Sequence, residues 1–131
     1  QLGRRFRALK LWMVIRMYGV QGLQNAIQHH IELAEMFASW INQSPDFELL
    51  APAPLSLVCF RAHPTGYSEE KLDELNQKLM DAVNQTGKAF LSHTKLKGKL
   101  TLRLAIGNLN TEKRHIEQVW KLLNDCLASL R

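Results

Sequence analysis

The residue best placed to bind a charged ligand is Arg103, in the middle of a strictly alternating segment. Residues 99–106 alternate between leucine or isoleucine and small or polar side chains. Because side chains of a strand point to alternate faces, this pattern predicts a strand with a leucine face and Arg103 on the other face. On that face its neighbours Thr101 and Ala105 are small, which leaves room for an anion to approach the planar guanidinium. Two interpretations stay open: an anion-binding arginine, or a solvated arginine on an open sheet face.

The histidines do not form a metal or nucleophile pattern. His29 and His30 are adjacent, so a helix would point them in different directions, and His63, His93 and His115 are dispersed along the chain. The CxxC pairs of zinc sites, the glycine-rich phosphate loops and the GxSxG motif of serine hydrolases are absent from the sequence. We therefore predict no metal ligand, no cofactor-binding residue and no catalytic residue within this chain.

The positive charge belongs to one segment. The net charge is +5, yet five of the 17 basic residues lie within the first sixteen positions, which contain no acid. The other 12 basic residues are matched by 12 acidic ones. A domain-wide basic face for nucleic acid is therefore not indicated. We predict no membrane partner either, since no apolar run approaches the ~20 residues that a membrane helix needs.

Both cysteines lie in apolar runs. Cys59 follows Leu57-Val58, and Cys126 lies within residues 122–127. Two cysteines do not make a disulfide framework, so we interpret them as small buried side chains in a reducing, cytoplasmic compartment.

Hydrophobic periodicity predicts the elements that would position Arg103. A helix at Phe6–Tyr18 is apolar around much of its circumference, which is typical of a helix buried in a larger body. Gly19 and Gly22 interrupt it, and a second helix at Leu23–Gln43 has a predicted buried stripe at positions 27, 31, 34, 38 and 41. Strands are predicted at Phe47–Leu50, Leu55–Ala62, Ala89–Lys95 and Lys99–Ile106, with a helix from Ser68 to Gly87 and a last helix capped by Thr111.

This order predicts a two-layer α+β domain. Two hairpins favour a four-stranded, mainly antiparallel sheet, and the amphipathic helices would cover one of its faces. The strand at Leu55–Ala62 is apolar on both sides over much of its length, as in a sheet whose two faces are both covered.

Several segments closely resemble the aromatic-L-amino-acid decarboxylase family, a group of pyridoxal-phosphate enzymes of the aspartate-aminotransferase fold type. They are GRRFRALKLW at 3–12, RMYG at 16–19, GL at 22–23, LVCFR at 57–61 and LRLAI at 102–106, in the family's order and at compatible spacing. The resemblance covers essentially the whole chain and corresponds to the family's region from the last helix of the large domain to the C-terminus.

The resemblance implies a division of the chain and a set of partners. Residues 1–22 would be the end of the large cofactor-binding domain with its linking helix, and residues 23–131 the C-terminal small domain. The intact enzyme would be a homodimer that uses pyridoxal 5'-phosphate to convert an L-amino acid, expected to be aromatic, to its amine and CO2. A chain without the large domain is expected to self-associate through residues 6–18.

The resemblance also gives Arg103 a role and leaves the chemistry elsewhere. Its face would turn toward the large domain and the active site, and the matching arginine in related glutamate decarboxylases meets the substrate carboxylate. The family's cofactor-binding lysine follows a histidine, and no His-Lys dipeptide occurs here. The chain alone is thus expected to be an inactive piece of the enzyme. The alternative that the residues leave open is an independent α+β ligand-binding or dimerisation module with an anion site at Arg103.

Overall fold

The computed structural model describes residues 6–131, in which three helices accompany one four-stranded sheet. The elements are α1 (Arg7–Gln43), β1 (Phe47–Leu49), β2 (Leu57–Ala62), α2 (Glu69–Gln85), β3 (Ser92–Leu96), β4 (Lys99–Ala105) and α3 (Lys113–Leu130). The strand order is β1-β2-β4-β3, and every neighbouring pair is antiparallel. The predicted two-layer α+β fold is confirmed.

The helices cover one face of the sheet, and the core lies between the two layers. The leucine face predicted for β4 is confirmed, because Leu100, Leu102 and Leu104 are buried in the same cluster as the helix stripes. On β2, Val58 and Phe60 join that cluster. The apolar repeat in the sequence predicts a buried stripe at positions 72, 75, 79 and 83 of α2, and these residues are buried. For α3 it predicts a stripe at positions 116, 119, 123, 127 and 130, of which the first four are buried and Leu130 is partly buried. The opposite side of the sheet, which we call the open face, has no helix of the described chain on it.

The predicted interruption of the first helix is confirmed at Gly19 and wrong at Gly22. The helix α1 is kinked at Gly19, whose φ of 68° and ψ of 169° are non-helical, whereas Gly22 is helical. Its buried stripe consists of His30, Leu33, Ala34, Phe37 and Ile41. The predicted stripe is therefore wrong at Ile27, which is 57% exposed. The helix carries apolar residues on more than one side, and the side that contains Phe37 packs against Phe60 of β2 at a centroid distance of 5.2 Å.

The observed starts of two strands and the cap of the last helix differ from the prediction. β2 begins at Leu57 and β3 at Ser92, later than predicted. The last helix is capped by Glu112 and not by Thr111, because Glu112 and His115 form a reciprocal capping box. In that box the Glu112 N–H donates to Nδ1 of His115 over 2.9 Å.

The first half of α1 is exposed, as expected for this segment when nothing covers it. Among its large apolar side chains, Met17 is 76% exposed and Trp12 is 58% exposed. The buried residues of α1 begin only at His30. The predicted boundary between residues 22 and 23 falls within this helix and stays a prediction. Within residues 6–131, no helix is both long and apolar enough to span a membrane.

Candidate functional site

Arg103 lies on the open face, where β4 runs between β2 and β3. Its Cα is paired with Cys59 on one side and with Ser92 on the other. Two pairs further toward the end of β4, and on the same face, Ala105 lies opposite Leu57. On the open face the neighbours of Arg103 across the sheet are therefore a thiol and a hydroxyl, and Thr101 and Ala105 flank it on its own strand, as the sequence predicted.

The Arg103 side chain is only partly exposed, yet it has no partner within the described residues. It takes part in no ion pair and no side-chain hydrogen bond in the part of the chain from Phe6 to Arg131. A guanidinium carries five N–H donors in a planar fork that matches a carboxylate or a phosphate. The open face can thus offer this fork to an anion that approaches from outside the domain.

A second arginine on the open face, Arg61, has the opposite environment. Its side chain is 1% exposed, and its Nε donates to Oε1 of Glu48 on β1 over 2.5 Å. Its two terminal nitrogens donate to both carboxylate oxygens of Glu69, at 2.8 and 3.1 Å. Lys99 approaches the same carboxylate at 3.6 Å. We call these four residues the Arg61 cluster; two positive and two negative side chains make it formally neutral.

The Arg61 cluster alters the acidity of its members. The bidentate bond from Arg61 is the largest of the causes that lower the pKa of Glu69 to about 2. The bond to Glu69 also raises the pKa of Arg61, with Glu48 adding to the effect and burial opposing it. Both side chains therefore stay charged at neutral pH, and the guanidinium of Arg61 is committed to this chain's own carboxylates.

Sequence reasoning missed Arg61, although LVCFR was among the motifs that carry the resemblance. The available signal was a charged residue in an otherwise apolar strand, two positions from Cys59 and therefore on the same face of the sheet. Its partners Glu48 and Glu69 are 13 and 8 residues away in sequence. Local spacing could not identify them, because only the pairing of β1 with β2 and the position of the first turn of α2 bring them together.

Polar side chains of α2 hold the strands around Arg103 in place. Asn76 is fully buried and bonds to both backbone groups of Ala62 at the end of β2, at 2.7 and 2.9 Å. Asn84 bonds in the same way to both backbone groups of Leu91, just before β3. Asp73 accepts the N–H of Leu100 near the start of β4 over 2.8 Å. These bonds satisfy backbone groups that no ladder partner reaches, and they fix three strands to one helix.

The two adjacent histidines are structural in the described chain. His30 contacts the carbonyl oxygen of Asn108 at 3.1 Å, and His29 contacts that of Thr111 at 3.2 Å. A carbonyl oxygen only accepts, so in both rings the nearer nitrogen, Nε2, is the protonated one. The pair attaches α1 to the loop that follows β4. Among residues 6–131, no group of three potential metal ligands lies together.

Both cysteines are free and half-buried, whereas the sequence predicted buried side chains. Cys126 packs at the margin of the core, and burial raises the pKa of its thiol, with Asp125 adding to the effect. Cys59 lies on the open face opposite Arg103.

The described residues do not fit a pyridoxal phosphate group by themselves. A cavity beside the end of β4, lined in part by Lys88, Phe90, Ala105 and His115, has a volume of about 170 Å³. Sites for small ligands typically enclose roughly 300–1,000 Å³. No His-Lys dipeptide is present in the sequence. Any role of this chain toward that cofactor is therefore limited to what the open face can contribute to a site formed mainly by other residues.

Comparison with known proteins gives a consistent match. The family model described as "Pyridoxal-dependent decarboxylase conserved domain" matches residues 1–63. Tryptophan decarboxylase 2 of Oryza sativa subsp. japonica is 52% identical over 124 residues, and phenylacetaldehyde synthase of Arabidopsis thaliana is 48% identical over the same length. Each alignment covers 95% of this chain and 25% of the relative. The chain thus spans about a quarter of the length of these curated relatives.

The fold gives the same result. The crystal structure of Oryza sativa TDC with PLP and tryptamine superimposes with a TM-score of 0.90 and 38% sequence identity. That superposition covers 99% of this chain and 28% of the other. In sequence and in fold, this chain matches the C-terminal region of the aromatic-L-amino-acid decarboxylase family of pyridoxal-phosphate-dependent enzymes.

Proposed function

We propose that this chain is the C-terminal domain of a pyridoxal-phosphate-dependent decarboxylase that converts an aromatic L-amino acid to its amine and CO2. The observation that carries the proposal is the partnerless guanidinium of Arg103 on the open face, in a domain that superimposes on a tryptophan-decarboxylase-type structure crystallised with PLP and tryptamine. When bound, the cofactor supplies the electron sink for decarboxylation. Its lysine and the residues that tune it are expected outside this chain.

The part that this chain plays is to hold a fixed positive charge at one wall of the site. Arg103 stands on a strand whose two neighbours, β2 and β3, are attached to α2 through Asn76 and Asn84. A guanidinium held in this way needs little reorganisation to bind a carboxylate through two parallel hydrogen bonds. We propose that the anion is the substrate carboxylate or an acidic group of a segment that closes over it.

A second candidate function follows from the completeness of the core. The described chain buries apolar residues from all three helices and from β1, β2 and β4 in one cluster, with Leu91 joining it just before β3. A domain with such a core can fold as an independent module, with Arg103 as an anion site for a ligand or for a second copy. This candidate predicts anion binding by the chain alone, whereas the decarboxylase proposal needs the remaining part of the enzyme.

We further propose that the whole protein is a cytoplasmic homodimer. The resemblance to the family supports the dimer, and the two free thiols at Cys59 and Cys126 are in keeping with a reducing compartment. Light scattering of the purified whole protein tests the first part, and fractionation of the source cells tests the second. A monomeric whole protein contradicts the first part, and recovery from an oxidising compartment contradicts the second.

A chimera tests the decarboxylase proposal directly. The aligned 124-residue region of Oryza sativa tryptophan decarboxylase 2 is replaced by this chain, and turnover of tryptophan is measured. Both amine and aldehyde are quantified, since the relatives include a phenylacetaldehyde synthase. We expect the chimera to release CO2 and the chain alone to be inactive. A well-folded chimera without turnover, or turnover by the chain alone, contradicts the proposal.

A further inference from the structure

The strand β3 lies at one edge of the sheet, and only one of its two sides is paired. It joins β4 through consecutive residue pairs that run from Ser92 with Arg103 to Leu96 with Lys99. The sheet order β1-β2-β4-β3 leaves its other side without a strand of the described chain. Backbone N–H and C=O groups on that side, which we call the free edge, must bond to water or to another molecule.

The turn between β3 and β4 fixes the hydrogen-bonding pattern of the hairpin. Its two residues, Lys97 and Gly98, have φ values of 51° and 81°, as in a two-residue turn of type I′. Such a turn is closed by a backbone bond between the residues that flank it. Leu96 and Lys99 are therefore a hydrogen-bonded pair, and bonded and non-bonded pairs alternate from there along the ladder.

This alternation directs the backbone groups of His93 and Lys95 away from β4, to the free edge. Leu91 has the same position in the alternation, and its N–H and C=O both bond to the side chain of Asn84, at 2.7 and 2.9 Å. An amide from α2 thus takes the place of a neighbouring strand at Leu91. In the part of the chain that the structure describes, the backbone groups of His93 and Lys95 that face the free edge have no such partner.

The opposite edge of the sheet, β1, offers much less to an added strand. It has only three residues, and the chain continues into Ala51-Pro52-Ala53-Pro54, whose prolines have no N–H to donate. At Ala62 and Leu100, where the inner ladder stops, side chains of α2 accept or donate the missing bonds. Of the described strands, β3 therefore has the edge that is most open to another strand.

The side chains along the free edge are basic. His93 and Lys95 are paired with the buried Leu102 and Leu100 and therefore lie on the helix side of the sheet, yet both are exposed. The helix layer thus does not extend over β3. Residues 82–111 contain five basic residues and no acidic one. The hairpin therefore carries a local positive charge, although acids and bases balance over the domain as a whole.

This charge favours an acidic strand over a second copy of the chain. Two free edges paired about a two-fold axis would bring the lysines of both hairpins together, and like charges opposite each other destabilise a strand pair. Carboxylates at alternate positions of an added strand would instead lie opposite His93 and Lys95. Thr94, between them, points to the open face, where an uncharged β-branched residue matches it.

We propose that the free edge of β3 binds an extended acidic peptide segment, which adds a fifth strand to the sheet through His93 and Lys95. Backbone bonds to these two residues supply the affinity, and carboxylates at alternate positions supply the selectivity. This site is independent of the decarboxylase activity, because Arg103 takes no part in it.

Binding of fluorescent peptides to the chain tests the site. The probe is a short blocked peptide of alternating glutamate and valine, and its counterpart alternates lysine and valine. Fluorescence anisotropy gives the two dissociation constants, and hydrogen exchange followed by mass spectrometry locates the bound strand. We expect the acidic peptide to bind about tenfold more tightly or better. It should also protect the backbone amides of His93 and Lys95.

Substitutions separate the backbone bonds from the charge. His93→Pro removes an N–H at the free edge and no bond to β4, and should weaken binding of the acidic peptide about tenfold or more. His93→Ala keeps that N–H and should bind the peptide more tightly than His93→Pro. Lys95→Glu should weaken binding about fivefold or more. Lys78→Glu makes the same charge change beside Leu130, away from the free edge, and should bind like the parent.

Four results would overturn the proposal. Equal binding of the acidic and basic peptides leaves Lys95 only the role of keeping the edges of two copies apart. Equal binding by His93→Pro and His93→Ala, both melting like the parent, shows that no strand is added; if His93→Pro does not fold, unchanged binding by Lys95→Glu overturns the site instead. A single-stranded oligonucleotide that binds as tightly as the acidic peptide shows that only charge is recognised. In the chimera with Oryza sativa tryptophan decarboxylase 2, amides of β3 that are protected before peptide is added show that the rest of the polypeptide covers the edge.

Discussion

The open face of the sheet carries one arginine toward each end, and the two have opposite surroundings. Arg61 is buried and donates to carboxylates from β1 and α2, whereas Arg103 is partly exposed and has no partner among residues 6–131. One arginine is therefore neutralised by carboxylates of this chain, and the other is free to bind an anion from outside it. This difference teaches that the partners and burial of a charged side chain, and not its type, distinguish a structural arginine from a candidate ligand-binding one.

Removing the buried arginine should have the largest effect on stability. Arg61→Ala loses charge-assisted bonds to two carboxylates and empties a buried site, so we expect the free energy of unfolding of the chain to fall by about 2–4 kcal/mol. Urea unfolding monitored by circular dichroism measures this change. The matched variant Arg103→Ala in the same chain should cost less than about 0.5 kcal/mol. Equal losses at the two positions would remove the distinction between the two ends.

The buried amide at the Arg61 end should come next. Asn76→Ala leaves the N–H and carbonyl of Ala62 without their partners in a fully buried location, so we expect a loss of about 2–3 kcal/mol. Asn84→Ala makes the same change at Leu91, but Asn84 itself is only half-buried, so water can replace its amide, and the loss should be about 1 kcal/mol. Denaturation midpoints of the two variants compare them directly, and a larger loss at Asn84 would contradict our view that the Arg61 end is the more tightly closed one.

The pH dependence of the Arg61 cluster should be the smallest effect. The pKa of Glu69 is lowered to about 2 in the folded state, so its ionised form stabilises the fold at neutral pH. That contribution is lost as the pH falls from the ordinary glutamate range through about 2. Because the Glu69 side chain is 60% exposed, salt should weaken it further.

Between pH 6 and pH 2, the melting temperature should fall less steeply for Glu69→Gln than for the parent. This range of about 4 pH units covers the protonation of Glu69. The Arg103→Ala variant serves as the control and should follow the parent curve. Parallel curves for Glu69→Gln and the parent would show that the ion pair contributes nothing in solution.

The features that could be predicted from the sequence are those set by local periodicity. The strict alternation of residues 99–106 placed Leu102 in the core and Arg103 on the other face, because successive side chains of a strand always point to opposite faces. The stripe of α2 was predictable for the same reason. In α1 the periodicity was ambiguous, because Ile27 and Phe37 lie on different apolar sides and only tertiary packing selects between them. The Arg61 cluster depends on contacts between separate elements, which one sequence does not reveal.

The turnover of arginine variants in the chimera tests the central claim most directly. We predict that Arg103→Lys, which keeps the charge and loses the planar fork, lowers kcat/KM for tryptophan, and that Arg103→Ala lowers it further. The expected loss is roughly ten- to a hundredfold, since a charge-assisted hydrogen bond contributes about 1.5–3 kcal/mol. The melting temperatures should remain those of the parent chimera. If both variants melt and turn over like the parent, Arg103 is a solvated surface residue, and the proposed role of the open face is wrong.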